Sequence, residues 1–398
     1  VSRFSCLAGD AALWTVFAPG SDIYSLHSSD NGYAYLSGTS MAAPYVSGTL
    51  GLVAQAFPWM TGKQLADAVL TTADDTFAAP DYLVQYRCDD DGRLEKLVVT
   101  GVDGGAIPSP EVLKQAIAEA SYPDDVKEVL GELVDAGEIE TRFLSRWEVF
   151  GQGFLDAGKA VRGIARLDAN RMTAADVRSL PELDSVRKDA LETFDTKGYF
   201  AEFSNDIDER KWDDGWHHPD FRSDAAGDSN ANAKALEDKD IGLRKIGAGL
   251  LVLSGSNDYT GATVVEGGSL GISRRADGSG GELINSDVVV RQGGTLLGDG
   301  KIHKQVVNTG TVAPGYGGTT LEVGTYVQKP EGVLRISMAP DGRHAVLKAD
   351  TAELDGSLHL APTPAFYPDG YTQAVRSVEA GNLIGTFANV GVTSLSPT

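Results

Sequence analysis

The string Gly38-Thr39-Ser40-Met41-Ala42-Ala43-Pro44, followed at once by small and apolar residues as far as Phe57, decides how the first part of the chain is read. A serine hydroxyl is a poor nucleophile at its free pKa. It becomes reactive when held at an accessible turn, beside a base, with hydrogen-bond donors waiting for the oxyanion. Gly38 lets the backbone turn sharply and lets a substrate come close. Ser40 then opens a helix whose free N–H groups and dipole favour negative charge. Pro44 reads as a first-turn proline, which costs a helix little. From Met41 to Phe57 small and apolar side chains run almost all the way round, the pattern of a helix buried inside an α/β protein. After Pro58 a second helix is predicted, opened by Thr61 and Gln64 at capping-box spacing, with Leu65, Val69 and Leu70 as its inner stripe.

Upstream, Leu13-Trp14-Thr15-Val16-Phe17-Ala18 reads as a buried strand ended by the turn signal Pro19-Gly20. Gly38 to Pro44, together with Val16 to Gly20, Tyr35-Leu36-Ser37 and the later string Phe150-Gly151-Gln152-Gly153-Phe154-Leu155-Asp156, resembles the subtilisin-like serine proteases, the subtilases. Tyr45 departs from the family, which usually has histidine there. The resemblance implies an α/β subtilisin-like domain acting on protein or peptide substrates. Ser40 would be its nucleophile and one oxyanion N–H, supported by Gly38 and Thr39. In that family the chain order is aspartate, histidine, serine. His27 and Asn31 are the histidine and asparagine ahead of Ser40, and neither falls where the family places its base or its oxyanion donor. The resemblance therefore places the missing partners upstream of Val1. The chain reads as a piece of a longer peptidase and, by itself, as inactive.

Composition narrows the partners. Against 34 basic residues stand 56 acidic ones, a formal charge of -22, which repels nucleic acid and anionic membrane surfaces alike. No stretch of about 18 apolar residues offers a membrane-spanning helix. Cys6 and Cys88 make neither a disulfide framework nor a metal cluster, and a single bridge or two free buried thiols both stay open. Asp89-Asp90-Asp91 lacks the alternating spacing of a calcium loop and reads as a solvated turn. His217 and His218 lack metal-site spacing. No cofactor is expected, and a structural calcium is not indicated.

Three segments follow in the chain. Residues 1–165 form the C-terminal part of the peptidase domain, with a helical insertion at about 77–147. In the insertion, Arg87 to Gly92 is a polar turn, Ser109-Pro110-Glu111 starts a helix, and a further helix from Pro123 to Ala136 stops at Gly137. Residues 166–239, rich in Asp184, Asp189, Asp195, Asp206, Asp208 and Glu209, read as a polar linker, with Asp224 to Asn230 marking its boundary. From 240 to 398 the order is repetitive. Gly-x-Leu or Gly-x-Val recurs at Gly268, Gly294, Gly310, Gly332 and Gly356, a spacing of roughly 16–26 residues that belongs to stacked coils. Short strands at Thr263–Val265, 287–290 and 304–307 lie between turns, so a right-handed parallel β-helix is predicted, each coil burying one side.

Gly249-Leu250-Leu251-Val252-Leu253-Ser254-Gly255-Ser256-Asn257-Asp258-Tyr259-Thr260-Gly261 to Leu270 resembles the passenger-associated repeat of bacterial autotransporters. That resemblance implies a bacterial outer-membrane or secreted location and a C-terminal β-barrel translocator beyond residue 398. Two functions remain: an exported serine endopeptidase, or a non-catalytic passenger whose β-helix is an adhesive or binding surface.

Overall fold

The computed structural model describes residues 5–27, 32–89, 91–120, 122–216, 228–315, 318–365, 367 and 372–392. They fall into two compact units, residues 1–48 with 73–155 and residues 49–72 with 156–398. His217, His218, Asn31 and most of the 224–230 tract lie outside the described residues.

In the first unit, the strand predicted over 13–18 is largely absent. Residues Gly9–Trp14 form a 3-10 helix held by short-range bonds such as Thr15 N–H to Ala12 O, and Trp14 is exposed. Only Phe17 pairs in strand fashion, donating to Gly153 O at 2.8 Å and accepting from Leu155 N–H at 2.7 Å. The insertion has the two helices expected of it, but it is not helical alone: it also holds a three-stranded sheet whose first strand takes in Arg87 and Cys88. Tyr82–Cys88 and Leu94–Val102 pair antiparallel, and Ile139–Leu144 joins the second of these in parallel. Pro110 opens helix α3 here (Pro110–Glu119), and Gly137, at φ 73°, supplies the left-handed cap of helix α4 (Asp124–Ala136). Both helices bury Leu113, Ile117, Leu130 and Val134 against Leu97 and Val99. A second core joins the insertion to the rest of the unit, with Val102, Val149 and Phe150 packing against Phe17, Phe77 and Leu144. Cys6 and Cys88 are unbridged and exposed, so neither earlier alternative holds. Asp89 closes its turn by accepting the N–H groups of Asp91 and Arg93.

The second unit is built on two sheets of mainly parallel strands. Lys188–Asp195, Ile241–Ile246, Thr263–Val265, Val288–Val290, Lys301–Asn308, Thr320–Gln328, Val346–Leu354 and Val378–Gly385 follow one another in the first. Phe200–Phe203, Leu250–Leu253, Gly268–Ile272, Gly294–Gly298, Thr311–Pro314, Val333–Met338, Ser357–Pro362 and Asn389–Val392 follow one another in the second. The chain alternates between the sheets, so each repeat adds one strand to both. The Gly-x-Leu spacing is the register of the second sheet: Leu270 pairs with Leu296, Leu296 with Val312, Val312 with Leu334 and Leu334 with Leu358, all buried. One expectation fails in the first sheet, where Val288–Val290 is buried on both sides. Leu180 and Leu183 cover its second side in a cluster with Leu191, Val264 and Val289.

The linker assigned to 166–239 is corrected in the same way. Lys188–Asp195 pairs with Ile241–Ile246 and Phe200–Phe203 with Leu250–Leu253, each in parallel, so the stack begins about fifty residues before 240. Asp208–Arg210 pairs with Arg166–Asp168. The end of the stack is covered by the 49–72 segment. Helix α2 (Gly62–Thr71) has the predicted capping box between Thr61 and Gln64, and it buries Gln64, Asp67, Ala68, Val69 and Leu70, with Leu65 only partly covered. Trp59, 1% exposed, sits among Phe57, Phe194 and Phe203 at ring separations of 6.1–6.2 Å. Lys63 Nζ spans Asp67 Oδ2 at 2.7 Å and Glu192 Oε1 at 3.1 Å, while Gln64 Nε2 donates to Thr193 O at 3.0 Å.

Because Trp59 fills the end of the stack, Trp59→Ala is expected to lower the stability of the second unit by about 3–5 kcal/mol. Urea denaturation followed by circular dichroism would show it as a lower midpoint; an unchanged midpoint would mean that the aromatic cluster does not close the stack.

Candidate active site

Ser40 lies in the first turn of helix α1 (Thr39–Ala56), following a short hairpin. Ile23–Leu26 and Tyr33–Leu36 pair antiparallel, Ile23 opposite Leu36 and Leu26 opposite Tyr33. Tyr24 stacks on Tyr33 at 5.2 Å and lies 4.8 Å from Tyr35, all three rings exposed. The loop before the hairpin holds the start of the helix. Gly38 N–H donates to Gly20 O at 2.7 Å, Asp22 N–H donates to Ser37 Oγ at 2.8 Å, and Met41 N–H donates to Gly38 O at 3.0 Å. Gly38 is half-buried, while Thr39 and Ser40 are exposed. The first N–H groups of a helix have no partner within it, so this turn presents donors beside the Ser40 hydroxyl.

Two expectations about α1 are corrected. Pro44 is the sixth helical residue rather than a first-turn one, and, lacking an N–H, it cannot bond the carbonyl four residues back, which is that of Ser40. The helix is also not buried all round. Thr49 and Val53 are its buried residues, and Leu52 is 51% and Tyr45 44% exposed. Its apolar composition is thus not matched by burial.

A groove of about 440 Å³ opens beside Ser40, walled by Tyr24, Leu26, Leu36, Met41, Pro44 and Tyr45. Its described lining contains hydroxyls and apolar groups but no imidazole and no carboxylate. His27 is not part of it; its N–H donates to Gly32 O at the hairpin end. Gly38 and Thr39 therefore stand with Ser40 at the helix start, as the sequence places them. The hairpin tyrosines were not singled out, although their alternation in Tyr33-Ala34-Tyr35 puts both rings on one face. Among the described residues no group of three or more His, Cys, Asp or Glu side chains is placed to hold a metal.

Residues 1–102 match the subtilase family, while residues 243–272 match the passenger-associated-transport-repeat. A segment similar to subtilases thus precedes one similar to the passenger-associated-transport-repeat. Among known proteins it is 28% identical over 380 residues to an extracellular serine protease of Serratia marcescens, across 89% of this chain. It is 26% identical over 301 residues, 74% of its length, to the Neisserial autotransporter lipoprotein NalP of Neisseria meningitidis. Over 58 residues it is 40% identical to subtilisin DY of Bacillus licheniformis, which is 15% of the chain. The chain spans 28% of the length of the Serratia protein and 17% of that of the Neisseria protein.

Gly20 is where the start of the helix is most sensitive. A Cβ there would lie 2.9 Å from Gly38 O and 3.3 Å from Ala42 Cβ, both fixed by backbone. Gly20→Ala is expected to move the Ser40 turn with little effect on global stability. A shift of about 1 Å slows an oriented reaction about a hundred-fold, so any reaction at the Ser40 hydroxyl, read as labelling by a fluorophosphonate in the protein that contains this chain, is expected to slow by about that factor. An unchanged rate would show that the Gly20–Gly38 contact does not set the position of Ser40.

Proposed function

We propose that this chain is part of an exported serine endopeptidase in which Ser40 is the nucleophile. The observation that carries the reading is the Gly38-Thr39-Ser40 turn, which exposes Thr39 and Ser40 at the start of α1 beside a groove of about 440 Å³. In this reading Ser40 Oγ attacks the scissile carbonyl, and a histidine outside the described groove lining takes its proton. The Ser40 backbone N–H then helps to hold the oxyanion. The family match over 1–102 and the Serratia and Neisseria relatives support it. No metal or other cofactor enters this chemistry, and protein or peptide chains are its substrates.

The fold of the second part is proposed as a right-handed parallel β-helix. Support comes from the repeated return of the chain to two parallel sheets and from the buried Leu270–Leu296–Val312–Leu334–Leu358 ladder. A passenger of this kind places the protein at the bacterial outer surface or in the medium, reached through an outer-membrane β-barrel translocator. The passenger repeat over 243–272 and the autotransporter relative support that route.

A fluorophosphonate probe is expected to label Ser40 in the secreted protein, and Ser40→Ala to abolish labelling. Loss of the nucleophile lowers turnover about a million-fold in hydrolases of this mechanism, so casein hydrolysis by the variant should fall to background. A Ser40→Ala protein that kept near-normal hydrolysis would rule out Ser40 as the nucleophile.

A further inference from the structure

A groove of about 530 Å³ crosses five neighbouring strands of the second sheet, from Ser273 and Arg274 at one end to Thr363 and Pro364 at the other. Four interstrand steps of about 4.8 Å make it about 19 Å long. At about 3.3 Å per residue, an extended chain of about five or six residues spans it. The groove lies on the side of the sheet opposite the buried ladder. Leu334 and Ile336 are fully buried, so alternation sends Arg335 and Ser337 to the other face. Leu297, Ala313 and Ala361 give it an apolar floor with little relief, Leu297 pairing with Ala313 and Ser337 with Ala361 across the strands.

The charges in this groove run against those of the chain. The protein carries a formal -22, yet the lining holds two arginines, Arg274 and Arg335, and among its described residues Asp299 is the one acid. Asp299 Oδ1 already accepts the Arg274 backbone N–H at 3.2 Å. Arg274 also meets Glu322 at 3.5 Å in an exposed pair, a weak arrangement that a closer anion can replace. Arg335 is exposed and, among the described residues, has no ion-pair or hydrogen-bond partner. An acidic ligand is therefore repelled by most of the surface and drawn to this groove. Guanidinium forks match carboxylates in a bidentate geometry that an ammonium does not reproduce.

We propose that this groove binds an extended acidic peptide segment, its carboxylates on Arg335 and Arg274 and its backbone along the hydroxyls of Ser273, Ser337 and Thr363. The described lining has no aromatic ring, so the stacking on which single-stranded nucleic acid relies is missing. The site is separate from Ser40 and does not rest on its being a nucleophile.

Fluorescence anisotropy on the 398-residue chain, with a fluorescein-labelled Ala-Glu-Ala-Glu-Ala-Glu peptide as probe, tests the proposal. Saturable binding is expected, weakening as salt is raised, with the glutamine analogue at least about tenfold weaker. Losing a hydrogen bond to a charged group weakens binding about ten- to a hundred-fold, so Arg335→Ala should raise Kd by that factor and Arg335→Lys by less. Arg274→Ala, at the far end, should give a second loss, with the circular dichroism of each variant unchanged. Absence of saturable binding, equal affinity for the glutamine peptide, or indifference to Arg335→Ala overturns the proposal. So does tighter binding of tetragalacturonate, which would assign the groove to an acidic saccharide.

Discussion

The second unit depends on one packing contact, the burial of Trp59 and Phe57 against Phe194 and Phe203. A stack of parallel strands satisfies its backbone groups strand by strand but leaves an apolar face at each end, and an open end is an invitation to further pairing. Here residues 49–72 close the beginning of the stack. The aromatic rings supply the apolar contact. Around them polar groups are matched: Lys63 lies between Asp67 and Glu192, Asp67 also meets the buried guanidinium of Arg171, and Gln64 donates to Thr193 O. Burial pushes the Glu192 carboxyl above its ordinary range, while Lys63 opposes that shift. The two carboxylates lose most of their hydration there and are tolerable because cations reach both.

The sequence was most legible where one physical rule acts alone. The Gly-x-Leu spacing is the register of the second sheet because a stacked strand places the same side chain over its predecessor, as Leu270, Leu296, Val312 and Leu334 do. The Thr61–Gln64 box and the Gly137 cap are equally local and were equally clear. The first strands of the stack were not, because Asp189, Glu192 and Asp195 give Lys188–Asp195 the composition of a linker. Each of two charges is answered from outside the strand's own pattern, Asp189 by Arg187 and Glu192 by Lys63. Arg187 is only two residues from Asp189, but Lys63 lies 129 residues from Glu192, a separation that no window of adjacent residues contains.

The Ser40 turn was legible for another reason, since its string of residues is rare and each part has a backbone purpose. Its surroundings were not. An apolar helix implies burial only if something lies against it, and α1 shows Leu52 and Tyr45 to solvent. The aromatic hairpin beside it could have been found from the alternation of Tyr33 and Tyr35, but exposed tyrosines carry no spacing signal that separates a groove wall from an ordinary edge.

The discontinuity of the second unit bears on how the protein folds. Lys63 and Glu192 are 129 residues apart in sequence, and the whole of 73–155 belongs to the other unit. Residues 49–72 are made early and find their partners late. Contacts of such separation require loop closure before they return any stability, which slows folding. Helix α1, with Ser40 at its first turn and Thr49 and Val53 in the second unit, is thus secured at its far end only after the stack has begun to form. In a chain that emerges from its amino end, assembly of the repeats sets the time at which the Ser40 helix acquires its final footing.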